Sequence, residues 1–401
     1  MDILNLKNMS NPIIKIYCDK RKRIWFKNIN KCNKLIENPN THILYTDKEG
    51  KQNILSKYDY VGPDLNGIHC NNIDEAKKLD LFKLSNIDCI NPININKYDI
   101  YDIYHNDNNK LIIISPSENK PLTIKYNNIN FNIHICSHGH TTVYVSKGAV
   151  KYNKKIKLNI NNDFLEVNVN KYPEFKGEII MSTIVKDEDN YIRQWIEFHR
   201  NLGITRFIIY DNSNKGTLSN ILSDYINNKI VILINWSYSY RLRKSGISGQ
   251  TTQQTHSIWA FNNCKYIGLF DIDEYVNIQS DTNIHTFFNN LIKKENINTN
   301  NIGCFTLLNK LFYNPDNLPS DGYKFLKIYN CDIAQGGEKC FVIPKNVNTH
   351  SVHTITNGKS PLSISPKKIY FNHYLYLNKT DRGRNKTNII DDTINKHLDF
   401  L

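Results

Sequence analysis

Apolar and polar positions change rhythm twice along the chain. Residues 1–110 alternate short apolar runs with polar connections and show no strong period, an α/β or irregular N-terminal region. From 111 to 172 the texture is strand-like: Leu111-Ile-Ile-Ile-Ser115, Leu122-Thr-Ile-Lys-Tyr126, Phe131-Asn-Ile-His-Ile135, Thr142-Val-Tyr-Val-Ser146 and Phe164-Leu-Glu-Val-Asn-Val169. Short strands broken by Pro, Gly and Asn predict an antiparallel sheet or small sandwich, completing a mixed or β-rich N-terminal domain. Over 173–401 the pattern changes again. A buried strand, Glu178-Ile-Ile-Met-Ser-Thr-Ile-Val185, precedes a helix with Ile192, Trp195, Ile196, His199 and Leu202 on one face, ended by Gly203. Strands follow at 206–211, 230–236 and 266–271, with helices over 217–227 and around 250–263. Strands alternating with helices predict βαβ units and a mainly parallel, Rossmann-like sheet. Such sheets bind ligands at the carboxyl ends of their strands, where Asp187, Asp211 and Asp271 fall.

The 401 residues exceed one typical domain, and 40% hydrophobic content is enough for a real core. No run approaches the ~18 apolar residues of a membrane span, and Met1-Asp-Ile-Leu-Asn-Leu-Lys7 lacks the layout of a secretory signal. The expectation is a soluble chain in the cytoplasm. Nine scattered cysteines without a Cys-x-x-Cys pair read as reduced, buried thiols. A net charge of +13 favours polyanionic or phosphate-bearing partners. The abundance of Asn, Ile and Lys, whose codons are A/T-rich, is also what a large DNA virus or a protist would produce, so charge decides little. A viral chain would work in the host cytoplasm, the virus factory or the virion.

The sharpest chemical signal is Phe270-Asp-Ile-Asp-Glu-Tyr275. A strand continuing through it would put Asp271 and Asp273 on one side and Ile272 on the other. Two adjacent carboxylates repel unless a cation lies between them, and hard oxygen donors suit Mg²⁺ or Mn²⁺. The ordinary alternative is a solvated acidic strand end, since Asp-x-Asp is common. In Tyr210-Asp-Asn-Ser213, Asp211 could bind a ribose or base, or simply cap a turn. His350, His353 and His373 could complete a metal shell, and Lys379, Arg382, Arg384 and Lys386 could close over phosphates. Without the Asp pair, each would read as a packed histidine or a solvated basic face. His134, Cys136, His138 and His140 lack structural zinc spacing, and Lys20-Arg-Lys-Arg23 runs directly into Trp25 and Phe26, as a surface strand does.

The order of motifs is more specific than any one of them. Val185-Lys-Asp-Glu188, Trp195-Ile-Glu-Phe-His199, Leu202-Gly203-Ile204 and Ile209-Tyr-Asp-Asn-Ser213 resemble the opening of family-2-like and family-92-like glycosyltransferases. Asp271-Ile-Asp-Glu-Tyr275 matches their Asp-x-Asp-Glu-Phe, and Gln250, Gln253 and Gln254 compete for the Gln that precedes it. Lys339-Cys-Phe-Val-Ile-Pro344, Val352-His353 and Asn372-His-Tyr374 match later segments, while the expected closing Lys-Ser reads Lys379-Thr380. The resemblance covers roughly 178–386.

It implies a GT-A fold and a metal-dependent, hexosyltransferase-like enzyme. Such an enzyme moves a sugar from a UDP- or GDP-sugar to a hydroxyl on a glycan or protein, with inversion. It further implies that Asp271 and Asp273 hold Mn²⁺ or Mg²⁺ on the donor diphosphate with His353. By the same likeness Asp211 touches the nucleoside, Lys186 and Glu188 line the base and ribose pocket, and Gln250 or Gln254 joins the donor site. Lys339, Lys379 and Arg382 neutralise phosphate, and Glu274, Asp332 and Glu338 are candidate bases near the acceptor. Nucleic acid is not an expected partner. Two other readings stay open: an inactive glycan- or nucleic-acid-binding module, which the intact Asp-x-Asp disfavours, and a nucleotidyltransferase, whose Gly-rich phosphate loop is missing.

Overall fold

The computed structural model describes residues 89–398 except 117–120, 137–140, 187–190, 214–216, 241–247, 313–325, 327–329, 334–336 and 375–388; before residue 89 it describes seven short strands. The chain forms two compact units, one of residues 1–90 with 213–233 and one of 91–212 with 234–401. In the first, Asp2–Asn5, Lys15–Cys18, Arg23–Phe26 and Gly67–His69 make an antiparallel sheet, and Gln52–Leu55, Thr41–Thr46 and Lys83–Asn86 make another.

The larger unit holds the strand-rich segment and most of the α/β segment together. Its eight-stranded sheet includes Leu111–Ser115, Ile124–Tyr126, Ile129–Ile135, Thr142–Ser146 and Asp163–Asn168, near their expected places, and adds Asp102–His105, Lys155–Ile160 and Asn170–Lys171. Its strands pair antiparallel, except that Asn170–Lys171 runs parallel to Asp102–His105. Alternation is clear in Lys155–Ile160, where Ile156, Leu158 and Ile160 enter a core with Ile103, Ile113 and Tyr144.

The second sheet uses β1 (Ile179–Val185), β2 (Arg206–Asp211), β3 (Tyr266–Leu269), β5 (Cys304–Leu307), β8 (Lys339–Val342) and β10 (Pro361–Ser363), in the order β2-β1-β3-β8-β5-β10. Strands β2, β1 and β3 are parallel, β8 is reversed, and β5 and β10 run parallel to each other. The sheet is therefore mixed. Helix α1 (Ile192–Asn201) buries Ile192, Trp195, Ile196, Phe198 and His199. Helix α2 (Ser248–Ala260) packs on β1, on β3, on Leu111–Ser115 and on β9 (Val347–His350). A third sheet has the order β4 (Glu274–Ile278), β11 (Ile369–Tyr374), β6 (Asn309–Phe312), β7 (Asn330–Ile333) and β12 (Ile389–Ile390). The expected helix over 217–227 is two short pieces, Leu218–Ile221 and Ser223–Asn227. Among the described residues, no helix is long and apolar enough to cross a membrane, and Cys136, Cys264, Cys304 and Cys340 are buried free thiols.

Candidate active site

The acidic motif lies between two sheets. Strand β3 ends at Leu269 and β4 begins at Glu274, so Asp271, Ile272 and Asp273 form the turn that carries the chain across, closed by the Glu274 amide donating to the Asp271 carbonyl (3.1 Å). This corrects the period-two expectation. The two aspartates are on a turn rather than on one face of a strand, and they engage different partners.

Asp271 is held from two sides. The Gln250 side chain on α2 donates to its Oδ1 (2.7 Å) and the Lys339 ammonium to its Oδ2 (2.6 Å). Lys339 arrives there by register. Cys340 on β8 faces Leu269 on β3, so the preceding residue comes alongside the turn. Its ammonium, 1% exposed, also lies 3.1 Å from Glu274 Oε2, which in turn accepts from the Asp271 amide (2.8 Å). Burial works against the Lys339 charge, but the Asp271 and Glu274 carboxylates more than offset it and raise its pKa. Glu274 goes the other way. Desolvation pushes its carboxyl up to about 7 against the pull of Lys339, with Asp271 and Asp273 adding repulsion.

Asp273 faces His373. The imidazole Nε2 is 3.2 Å from Asp273 Oδ2, and Nδ1 is 4.0 Å from Glu274 Oε1. Register again explains the meeting, because His373 on β11 stands directly opposite Glu274 on β4. Burial raises the Asp273 pKa, yet His373 and Lys339 bring it below its ordinary value; burial lowers His373, and Asp273 brings it above. Ligand atoms of Asp273, Glu274 and His373 lie within 4.8 Å of one another, and His373 Nδ1 is buried with no hydrogen-bond partner among the described residues. Two carboxylates and an imidazole with a spare nitrogen are a donor set that fits a divalent ion such as Mn²⁺ or Mg²⁺. The turn is anchored from below by the Trp195 indole, which donates to the Glu274 carbonyl (2.9 Å).

The other expected residues are spread around this centre. Asp211 is buried at the carboxyl end of β2, and the next residue, Asn212, donates to the carbonyls of Trp236 and Tyr238 (2.6 and 2.7 Å). Lys186 is exposed just beyond β1. The three glutamines separate cleanly: Gln250 reaches Asp271, Gln253 donates to Ser182 (2.9 Å), and Gln254 meets His350 (3.1 Å). The His353 ring is hydrogen-bonded to the Glu338 carbonyl (3.0 Å) rather than gathered with Asp273. The His134 ring packs tilted against Trp259, and Cys136 accepts from Thr356. Glu188, Lys379, Arg382 and the Asp332 side chain lie outside the described residues, as do Asp187, His138, His140, Arg384 and Lys386.

Comparison with known proteins adds the decisive observation. The model of glycosyltransferase family 92 matches residues 179–399, just over half of the 401. The chain belongs to glycosyltransferase family 92. A family 92 protein of Oryza sativa subsp. japonica is 21% identical over 203 residues, 48% of this chain and 32% of its own length. One of Ricinus communis is 20% identical over 127 residues (31% and 21%), and one of Arabidopsis thaliana 29% over 102 (25% and 16%). Each match thus spans a third or less of the relative. The family 92 segment contains β1 to β12, the acidic turn, Lys339 and His373, whereas the eight-stranded sheet precedes it.

His373 is the residue that sequence reasoning placed least well. The resemblance gives the metal role to His353 and leaves His373 as part of the closing His-Tyr; the cross-strand position opposite Glu274 is what brings His373 to Asp273.

Proposed function

We propose that this family 92 chain is a glycosyltransferase of GT-A type, transferring a sugar from a UDP- or GDP-sugar to a hydroxyl of a glycan or protein, with inversion. The observation that carries the reading is the acidic turn Asp271–Glu274 at the end of a parallel strand, joined by His373 within the family 92 segment. Three carboxylates in four residues face one buried lysine and one imidazole, an arrangement that calls for additional positive charge. Asp273, Glu274 and His373 would hold a divalent cation. Such a cation, when bound, neutralises the charge that develops on a departing diphosphate.

The protein's own residues do the rest. Gln250 and Lys339 hold Asp271, so the turn keeps one conformation while the donor binds. Asp211 at the end of β2 and Lys186 beyond β1 would meet the nucleoside, as residues at the carboxyl ends of parallel strands do. Inversion needs a base that an acceptor can reach. Glu274 is buried against Lys339, whereas Glu338 is only half-buried, which favours Glu338. Its carboxylate takes the acceptor hydroxyl proton, the acceptor oxygen bonds to the anomeric carbon, and the bond to the donor diphosphate breaks with the electron pair leaving on phosphate.

The test is release of nucleotide from a panel of UDP-, GDP- and CMP-sugars with Mn²⁺ or EDTA, beside an Asp271→Asn/Asp273→Asn double variant. Metal-dependent release from one donor, abolished in the variant, is expected. Absence of release from every donor, with no metal-dependent shift in Tm, would overturn the reading in favour of a binding module.

A further inference from the structure

Helix α2 is unusual for an interior element. Its sequence from Ser248 to Ser257 is Ser-Gly-Gln-Thr-Thr-Gln-Gln-Thr-His-Ser, yet every residue from Gly249 to Ile258 is buried. Polar side chains survive such burial only when they find partners. They do so in several directions. Gln250 goes to Asp271, Gln253 to Ser182, Gln254 to His350, and Thr252 to Thr141 (2.9 Å).

The longest of these connections ends on Asp102, in the sheet that precedes the family 92 segment. Asp102 is fully buried. Its Oδ1 accepts from the amides of Ile93 (2.7 Å) and Ile103 (2.8 Å) and from the Asn170 side chain (3.0 Å); its Oδ2 accepts from the Tyr172 hydroxyl (2.5 Å) and meets His256 Nε2 at 2.9 Å. A carboxylate can only accept, so Nε2 donates to it, and Nδ1 of the same ring is hydrogen-bonded to the Tyr210 hydroxyl (2.7 Å). Ser257 donates to Tyr210 (3.1 Å), Ser182 to Ser257 (2.6 Å), and Gln253 to Ser182 (2.9 Å). The connected bonds run from Gln253 through Ser182, Ser257, Tyr210 and His256 to one carboxylate, a continuous chain in which each bond polarises the next.

We infer that Asp102 is a positioning residue for the acidic turn: through His256 it sets the placement of α2, and α2 presents Gln250 to Asp271. The preceding sheet is thereby a working part of the transferase rather than an appendage. The inference rests on the proposed function only for its kinetic arm.

The experiment uses the full chain labelled with [¹⁵N]glutamine, the Gln250 side-chain amide being assigned through Gln250→Ala. Asp102→Asn keeps Oδ1 but replaces the oxygen that receives Tyr172 and His256. The Gln250 amide is expected to shift while that of Gln279, held at Asn277 on β4, stays in place. If Asp102→Asn does not fold, His256→Gln is read in the same way. An unmoved Gln250 signal overturns the inference, as do Gln250 and Gln279 moving together, which marks general loosening.

In the kinetic arm, Asp102→Asn lowers kcat for donor hydrolysis by about tenfold to a hundredfold. The double variant with Gln250→Ala is expected to fall no further than Gln250→Ala alone; additive losses would overturn the inference. A wild-type chain that turns over no donor would sink the proposed function, while the amide signals would still decide the role of Asp102.

Discussion

Lys339 shows how burial redirects a charge. A lysine beside an acidic motif reads in sequence as a partner for phosphate, but an ammonium 1% exposed and 2.6 and 3.1 Å from two carboxylates is already committed. Its work is to let Asp271 and Glu274 share a turn. Replacing it by methionine keeps the volume and leaves two acids facing each other. Removal of one partner from a buried pair costs about 3–5 kcal/mol, and the lower end applies because the Asp271 side chain is 37% exposed. Urea unfolding of Lys339→Met at neutral pH should therefore show a loss of about 3 kcal/mol. An unchanged midpoint would mean that the pair contributes no net stability. His199 is a second case: burial takes its pKa down to about 3, so the neutral ring can donate from Nδ1 to the Trp195 carbonyl and accept the Val276 amide at Nε2.

At the scale of elements, α1 and α2 obey different rules. Helix α1 is amphipathic, and its end is written locally. Gly203 has φ +98°, its amide donates to the Arg200 carbonyl (2.8 Å), and the Ile204 amide donates to the His199 carbonyl (3.0 Å), the paired bonds of a Schellman motif. A Cβ there would also lie 2.5 Å from Asn283 Nδ2, on the residue that caps α3 (Ile284–Lys294). Gly203→Ala should cost about 1–2 kcal/mol, from the left-handed backbone alone, with any shift of the α3 cap added. Thermal unfolding checks this, and an unchanged Tm would mean that the backbone relaxes out of the left-handed region. Helix α2 has no apolar stripe, and its burial follows from partners supplied by several other elements.

At the scale of the molecule, the last segment is tied to the third sheet through Asp391. Its carboxylate accepts from Lys310 on β6 (2.5 Å), from Tyr370 on β11 and from Thr393. Burial opposes the charge, but Lys310, Thr393 and Tyr370 together hold the pKa down at about 2, against 3.8 for a free aspartate. A carboxyl whose pKa is lowered on folding stabilises fully above its unfolded value and loses that contribution as pH falls through the folded one. The Tm gap between wild type and Asp391→Asn should thus be constant above about pH 5 and close between about pH 4 and 2. A gap that persists to pH 2 would show that the carboxylate charge is not what ties the segment down.

Local information was enough for much of this molecule. Period-two and period-3.6 runs are intrinsic to a segment, so β1, β2, α1 and most strands of the eight-stranded sheet were legible, as was the family through the order of its motifs. The acidic run was legible as a cluster of carboxylates but not as a turn, because the residue at which β3 stops depends on the sheet that receives β4. What only the tertiary structure decided was pairing. Cross-strand register chose His373 over His353 and His350 as the neighbour of Asp273, and burial turned Lys339 inward. Helix packing then separated Gln250 from Gln253 and Gln254 and brought Asp102 to His256 across 154 residues. A sequence lists donors and acceptors one after another; which of them meet depends on burial and register, and those exist only once the chain has folded.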